Sequence, residues 1–179
     1  MKTKFSRGFT LVETLVAISI LTMSIAATFT AVQSGIQSST IAKDQVTAFW
    51  LAQEGMEFIR NIRDENALRS VSGTPTNWLA SLSASAGDPC FFGKTCTIDS
   101  PLKTTAACSG GFGSCPNIRQ SPSTGLYGYT SGWTQLNFKR EIQFQSISAS
   151  EVKALINISW LNRGVTKSFQ ISELLFNHQ

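Results

Sequence analysis

Residues 2–23 read KTKFSRGFTLVETLVAISILTM, and this stretch decides how the chain is organised. Basic residues cluster in its first six positions, and an apolar run follows in which Glu13 is the only charged residue between positions 9 and 41. An apolar helix of about 20 residues crosses the hydrocarbon core of a bilayer, which is about 30 Å thick. The pattern therefore predicts one membrane-spanning helix.

The basic residues are placed on one side of this apolar run. They are Lys2, Lys4 and Arg7, and the next basic residue after the run is Lys43. Because positively charged flanks stay in the cytoplasm, we expect a cytoplasmic N-terminus and everything after about residue 35 on the outer side. The formal net charge of +4 comes mostly from this segment, since without residues 1–8 the chain has 12 Lys and Arg against 11 Asp and Glu.

A secretory signal peptide has a similar layout and is the first alternative. Ser24, Ile25 and Ala26 form a small-x-small sequence where such a signal is cut, which would leave a secreted or simply anchored domain. Glu13 argues against this reading, because a carboxylate costs about 2.5–3.5 kcal/mol near the centre of an inserted helix and less near its end. Glu13 either snorkels to the membrane edge or has a function.

The junction between the basic leader and the apolar run resembles the prepilin leader of type IV pilins and type II secretion pseudopilins. The shared pattern has Gly8 before the junction, Phe9 after it and Glu13 four residues further on. The resemblance implies that a membrane prepilin peptidase cuts between Gly8 and Phe9 and methylates the new amino group of Phe9. The apolar helix would then be kept rather than removed.

The resemblance also implies a role for Glu13 in assembly. A poorly solvated carboxylate and a poorly solvated amine each need an opposite charge. In a fibre, the Glu13 carboxylate of one subunit would pair with the Phe9 amine of its neighbour and set their axial register.

The function implied is that of a non-enzymatic fibre subunit. The start FTLVETLVAISIL and the segment LAQEGMEFIRNIRDEN at residues 51–66 are most similar to PilV-type minor pilins or GspI-type pseudopilins. Such a subunit would first reside in the inner membrane. It would then prime the assembly of a type IV pilus or a type II secretion pseudopilus, or lie at the tip of that fibre. The expected partners are prepilin peptidase, other pilin or pseudopilin subunits, an inner-membrane assembly platform and membrane lipid.

The residue inventory independently argues against catalysis. The only histidine is His178, so a Ser-His-Asp or Cys-His nucleophile has no base to draw on. The four cysteines lack CxxC spacing and an HxxxH companion, and no DxDxDG run offers a calcium loop. We therefore predict no catalytic, cofactor-binding or metal site.

The helical pattern continues well beyond a membrane span. No proline occurs before Pro75, and the helix is predicted from Phe9 to about Leu68. Its second half has apolar residues at three-to-four spacing, which predicts a face that packs on a sheet. These residues are Ala42, Val46, Phe49, Ala52, Met56 and Ile59, widened by Trp50 and Phe58, while Lys43, Asp44, Glu54, Glu57 and Arg60 are expected on other faces.

Residues 135–179 change to a period of two. Alternation over 138–145, 152–160 and 165–171 predicts three strands, and Asn162-Arg163-Gly164 predicts the turn of an antiparallel hairpin. Residues 173–177 are predicted to be a short last element. The fold class is therefore α+β, with a long N-terminal helix whose second half packs on an antiparallel sheet of three or four strands; the resemblance implies the same architecture.

Residues 70–134 are rich in Ser, Thr, Gly and Pro and are predicted to form long connections. They contain all four cysteines, on the side of the membrane where disulfides form. These are Cys90, Cys96, Cys108 and Cys115. Four cysteines allow three pairings, of which Cys90 with Cys96 and Cys108 with Cys115 is the most local.

A second functional hypothesis uses the same region as the binding surface of a pilus-associated adhesin or DNA-uptake subunit. Lys94, Lys103 and Arg119 are scattered there rather than clustered, which argues against nucleic acid as a partner. The predicted organisation is a leader at 1–8, a membrane and filament-core helix at 9–35, an amphipathic continuation at 36–69, a cysteine-containing loop region at 70–134 and a sheet at 135–179.

Overall fold

The computed structural model describes residues 8–177. Lys2, Lys4 and Arg7 of the predicted leader, and His178, lie outside the described residues. The chain divides into two compact units, of which the first ends at Lys43 and the second, called the head below, begins at Asp44.

The predicted long helix is confirmed, and helix α1 runs over Leu11–Val71. Its C-terminus is closed by backbone hydrogen bonds from Gly73 to the Ser70 carbonyl, at 3.2 Å, and from Thr74 to the Arg69 carbonyl, at 3.0 Å. Gly73 has a φ of 89°, the left-handed conformation that glycine adopts readily after a helix end. Pro75 follows and cannot continue the helix.

The α+β fold class is also confirmed. The main sheet is antiparallel with the strand order β2-β1-β6-β7-β8, and its strands are β1 (Thr95–Asp99), β2 (Thr104–Ala107), β6 (Phe138–Ser146), β7 (Glu151–Asn162) and β8 (Val165–Phe176). A smaller sheet has the order β4-β3-β5 and is built from β3 (Arg119–Gln120), β4 (Tyr127–Gly128) and β5 (Thr134–Gln135). The predicted hairpin turn is confirmed: Arg163 and Gly164 have φ values of 51° and 80° between β7 and β8.

Two features of the sheet differ from the expectation. Strands β1 and β2 come from the region predicted to form connections, and the main sheet therefore has five strands rather than three or four. All five residues of β1 are buried. Its sequence, Thr95 to Asp99, does alternate polar and apolar residues, but over five positions within a Ser-, Thr- and Gly-rich region the signal is short and the sequence analysis missed it. Residues 173–176 are not a separate element, because β8 continues through them in register with β7.

The helix face that packs in the head is rotated from the predicted one. Its buried residues are Ala48, Leu51, Ala52, Gly55, Met56, Phe58, Ile59 and Asn66. The prediction was wrong for four of the residues placed on this face, which are exposed: Ala42, Val46, Phe49 and Trp50. Hydropathy alone weights Trp50 heavily, whereas the packed face is centred on small residues that let the helix come close to the sheet.

Gly55 marks the closest approach of helix and sheet. A Cβ added there would lie 3.1 Å from Ile156 Cδ1 and 3.2 Å from Arg140 Cδ. Both neighbouring side chains are 0% exposed, so neither has open space to move into. The glycine, which is unfavourable inside a helix by about 1 kcal/mol relative to alanine, is therefore required by packing.

Alanine at position 55 should lower the free energy of unfolding of the head by about 1 kcal/mol, and valine by about 2–3 kcal/mol. Overpacking costs about 1–3 kcal/mol and exceeds the helix propensity gained. The measurement is denaturant unfolding of the full chain in detergent. Gly35→Ala is the matched control, because nothing lies within 4 Å of a Cβ at Gly35. A Gly55→Ala head as stable as the Gly35→Ala head would contradict the argument.

A buried arginine links the helix to two strands. Arg140, on β6, is 0% exposed. Its Nη1 donates to the Leu51 carbonyl at 3.3 Å and to Glu54 Oε2 at 3.0 Å, and its Nη2 donates to the Ile98 carbonyl at 2.7 Å. Glu54 was expected on another face of the helix, but it is the ion-pair partner of an interior residue, because a buried guanidinium needs a counter-charge.

Two further polar side chains form hydrogen bonds that link elements of the head, and both have a raised pKa. The Tyr129 hydroxyl donates to the Arg140 carbonyl at 3.4 Å, and burial raises the pKa of Tyr129 to about 12. Nearer the surface, Arg60 donates to both carboxylate oxygens of Glu173, at 2.9 and 2.6 Å, and this hydrogen bonding raises the pKa of Arg60. The pair joins the helix to the edge strand β8.

Candidate processing and assembly site

The Gly8–Phe9 junction lies in an exposed, non-helical segment just before α1. Residues 8–10 have no regular secondary structure, and the Phe9 side chain is 80% exposed. Among residues 8–177, nothing lies within 4 Å of a Cβ added at Gly8. The peptide bond between these two residues is therefore open to an enzyme that binds an extended segment.

The first turn of α1 begins with an N-cap that the sequence analysis missed. Thr10, Leu11, Val12 and Glu13 follow the pattern of a hydroxyl residue with an acid three positions later, which was readable from the sequence. The Thr10 Oγ1 accepts a hydrogen bond from the Glu13 backbone N–H at 3.3 Å. Thr10 therefore sets where the helix begins and places Glu13 in its first turn, where a negative charge suits the helix dipole.

The Glu13 carboxylate is exposed at this helix start. Within residues 8–177, no hydrogen bond or ion pair in the structure reaches either of its oxygens. Phe9, whose amino group the resemblance makes the partner of Glu13, comes four residues earlier in the same segment. The arrangement leaves the carboxylate available to a charge supplied from another molecule.

The first half of α1 has the length and composition of a membrane span. Its best 18-residue window has a mean hydropathy of 2.1, and none of that window is buried inside the protein. Large apolar side chains project all round it, among them Leu11, Val12, Leu15, Val16, Ile18, Ile20, Leu21, Met23 and Ile25. A helix that is apolar on every side needs lipid or other helices around it.

Seven hydroxyl groups along the first part of α1 form hydrogen bonds with the helix itself. Each donates to a backbone carbonyl three or four residues earlier, at 2.8–3.0 Å: Thr14, Ser19, Thr22, Ser24, Thr28, Thr30 and Thr40. An unbonded hydroxyl costs several kcal/mol in an apolar medium, and internal hydrogen bonds remove most of that cost. The polar residues of the segment are thus compatible with insertion in a bilayer.

The four cysteines for which disulfides were predicted all belong to the head, and they form two disulfides. Cys90 is bonded to Cys96 and Cys108 to Cys115, with Cα–Cα distances of 5.1 and 5.0 Å. This is the most local of the three pairings, and the predicted disulfides are confirmed. Across the described part of the chain, no group of three or more His, Cys, Asp or Glu residues is arranged to hold a metal ion.

Comparison with known proteins gives one match, and it covers the N-terminal segment of the chain. Residues 3–29 match the family described as the prokaryotic N-terminal methylation motif. This chain carries that motif. The motif spans the Gly8–Phe9 junction, Glu13 and most of the apolar half-helix, and it ends before the head begins. No curated protein and no solved structure matches the chain. The motif and the apolar half-helix together fit a pilin-type subunit anchored in the inner membrane.

Proposed function

We propose that this protein is a non-enzymatic minor pilin or pseudopilin. Prepilin peptidase would cut it between Gly8 and Phe9 and methylate the Phe9 amine, and the subunit would then enter a type IV pilus or a type II secretion pseudopilus. Residues 9–35 would form its membrane anchor and then its part of the filament core. The observation that carries the proposal is the match of residues 3–29 to the methylation motif, which coincides with an exposed junction and with a capped helix whose first half is apolar apart from Glu13 and hydroxyl residues.

The fold supports an anchored subunit with its head outside the cytoplasm. The head has its own core and two disulfides, which form and persist in oxidising compartments. The basic residues that precede the apolar helix favour a cytoplasmic N-terminus. An assembly platform and other pilin-type subunits are the partners this topology requires, and a priming or tip position is the role proposed within the fibre.

Processing at Gly8 is the direct test. We expect intact mass and N-terminal sequencing of the membrane-extracted protein to show a methylated Phe9 as first residue when prepilin peptidase is co-expressed. Without the peptidase, residues 1–8 should be retained. Gly8→Val should block cleavage nearly completely, because the enlarged residue precedes the cut bond, whereas Ser6→Ala should be processed normally.

A mature protein that begins at Ala27 would overturn the proposal. The apolar helix would then be an ordinary signal peptide cut after Ala26, and the head would be a secreted domain. Retention of residues 1–8 in the presence of active peptidase would equally count against it.

A further inference from the structure

The two disulfides of the head lie at different depths. Cys90 and Cys96 are both 0% exposed and belong to the hydrophobic core. Cys96 lies within β1, in register with Ala107 on β2 and with the buried Ile142 on β6. Thiol–disulfide exchange requires a thiolate to reach a sulfur atom directly. For the Cys90–Cys96 bond, this access requires the core of the head to open.

In the Cys108–Cys115 disulfide, one cysteine is partly exposed and the other is buried. Cys108 comes directly after β2, an edge strand of the main sheet, and keeps part of its surface exposed. The six residues between the two cysteines are all exposed, whereas Cys115 is 1% exposed. Of the two cysteines, Cys108 is thus the one with exposed surface, so an incoming thiolate would approach from its side and Cys115 would be the leaving group.

The loop enclosed by this disulfide is also held by bonds that do not involve sulfur. Glu141 is 0% exposed, and its Oε1 accepts hydrogen bonds from the backbone N–H groups of Gly113, at 2.6 Å, and Cys115, at 3.2 Å. Lys139 Nζ donates to the Gly113 carbonyl at 2.5 Å. On the other side, the Cys108 N–H donates to the Thr95 carbonyl at 2.8 Å. These bonds keep the two cysteines close to each other after reduction.

We propose that Cys108–Cys115 is an exchange site of the folded head for a dithiol–disulfide protein, whereas Cys90–Cys96 is formed before the core closes. A thiolate of the partner attacks Sγ of Cys108, the bond to Cys115 breaks, and Cys115 leaves as a thiolate that takes up a proton. The partner's second thiolate then attacks the partner's own sulfur in the mixed disulfide and releases Cys108, which is protonated. Two electrons and two protons pass to the head, and the partner becomes a disulfide; the reverse sequence oxidises the head.

The test is reduction of the native protein. The full-length chain in detergent is incubated with dithiothreitol, free thiols are trapped with N-ethylmaleimide at successive times, and peptide mapping gives the rate for each cysteine. We expect Cys108 and Cys115 to be labelled together, at least about 100-fold faster than Cys90 and Cys96. In guanidinium the two pairs should be reduced at comparable rates. Equal native rates, or no labelling of Cys108 before unfolding, would overturn the proposal.

Two variants sharpen the test. The double variant Cys108→Ser/Cys115→Ser should show no labelling under native conditions, because its remaining disulfide is in the core. Glu141→Gln should raise the ratio of reduced to oxidised Cys108–Cys115 by about threefold or more at a fixed glutathione ratio, since the charged acceptor holds the loop closed. An unchanged ratio in a folded Glu141→Gln protein would exclude the positioning role of Glu141. All of these results are independent of fibre assembly.

Discussion

Replacing Glu13 with alanine should leave membrane insertion and processing intact and lower incorporation into the fibre by about tenfold or more. The structure gives the Glu13 carboxylate no partner among residues 8–177, and the proposed function supplies one in the amine of a neighbouring Phe9. Removing one member of a desolvated charge pair leaves the other unpaired, which costs about 2–5 kcal/mol. The measurement is the amount of variant recovered in sheared fibres relative to the amount in the membrane.

Glu13 also lies in the first turn of α1, so the effect of its charge must be separated from its effect on the start of the helix. Glu13→Gln is the matched variant, because glutamine fits the same Thr-x-x-Glu/Gln pattern but carries no charge. We expect Glu13→Gln to be lost from the fibre nearly as much as Glu13→Ala. If Glu13→Gln is incorporated normally, the role of Glu13 is to start the helix, and the register hypothesis is wrong.

The second large effect is expected at the buried arginine. Arg140→Ala should lower the free energy of unfolding of the head by about 3–5 kcal/mol, as measured by denaturant unfolding followed by tryptophan fluorescence. The substitution leaves the carbonyls of Ile98 and Leu51 without the donors that reach them from Arg140, and it opens a cavity beside Gly55.

Arg60 provides the matched control for this prediction. Like Arg140, Arg60 forms an ion pair between the helix and the sheet, here with Glu173, but the Arg60 side chain is 41% exposed. Exposed ion pairs contribute about 0–1 kcal/mol, so Arg60→Ala should have a small effect. If the two substitutions cost the same, burial does not determine the energetic weight of Arg140, and the account of the head's interior given above is incorrect.

The head also shows why strand alternation predicted part of its core but not all of it. Phe138, Ile142 and Phe144 are buried as the period of two predicts. Glu141 breaks the pattern, because it points to the other face of β6 and is nevertheless 0% exposed. The disulfide loop at residues 108–115 covers Glu141. A loop that folds back over a sheet cannot be predicted from a local sequence pattern. From the sequence, a charged residue in a strand is therefore expected to be exposed to solvent, and only its contacts in the fold show otherwise.

Local chemistry was enough wherever a feature depends on residues close together in the chain. Five features depend on spacing over a few residues: the basic leader, the apolar helix, the Gly8–Phe9 junction, the turn at Arg163–Gly164 and the period-two strands. They were enough to predict the α+β class and the candidate processing site. The N-cap at Thr10 was equally readable.

Contacts between residues far apart in the chain became known only from the folded structure. It placed Gly55 against Ile156, gave Arg140 its partners on α1 and β1, added β1 and β2 to the sheet, and separated a core disulfide from a surface one. The physical reason is that burial and charge pairing depend on contacts between distant segments. Hydropathy and periodicity report only the preference of each segment for water or for an apolar surrounding.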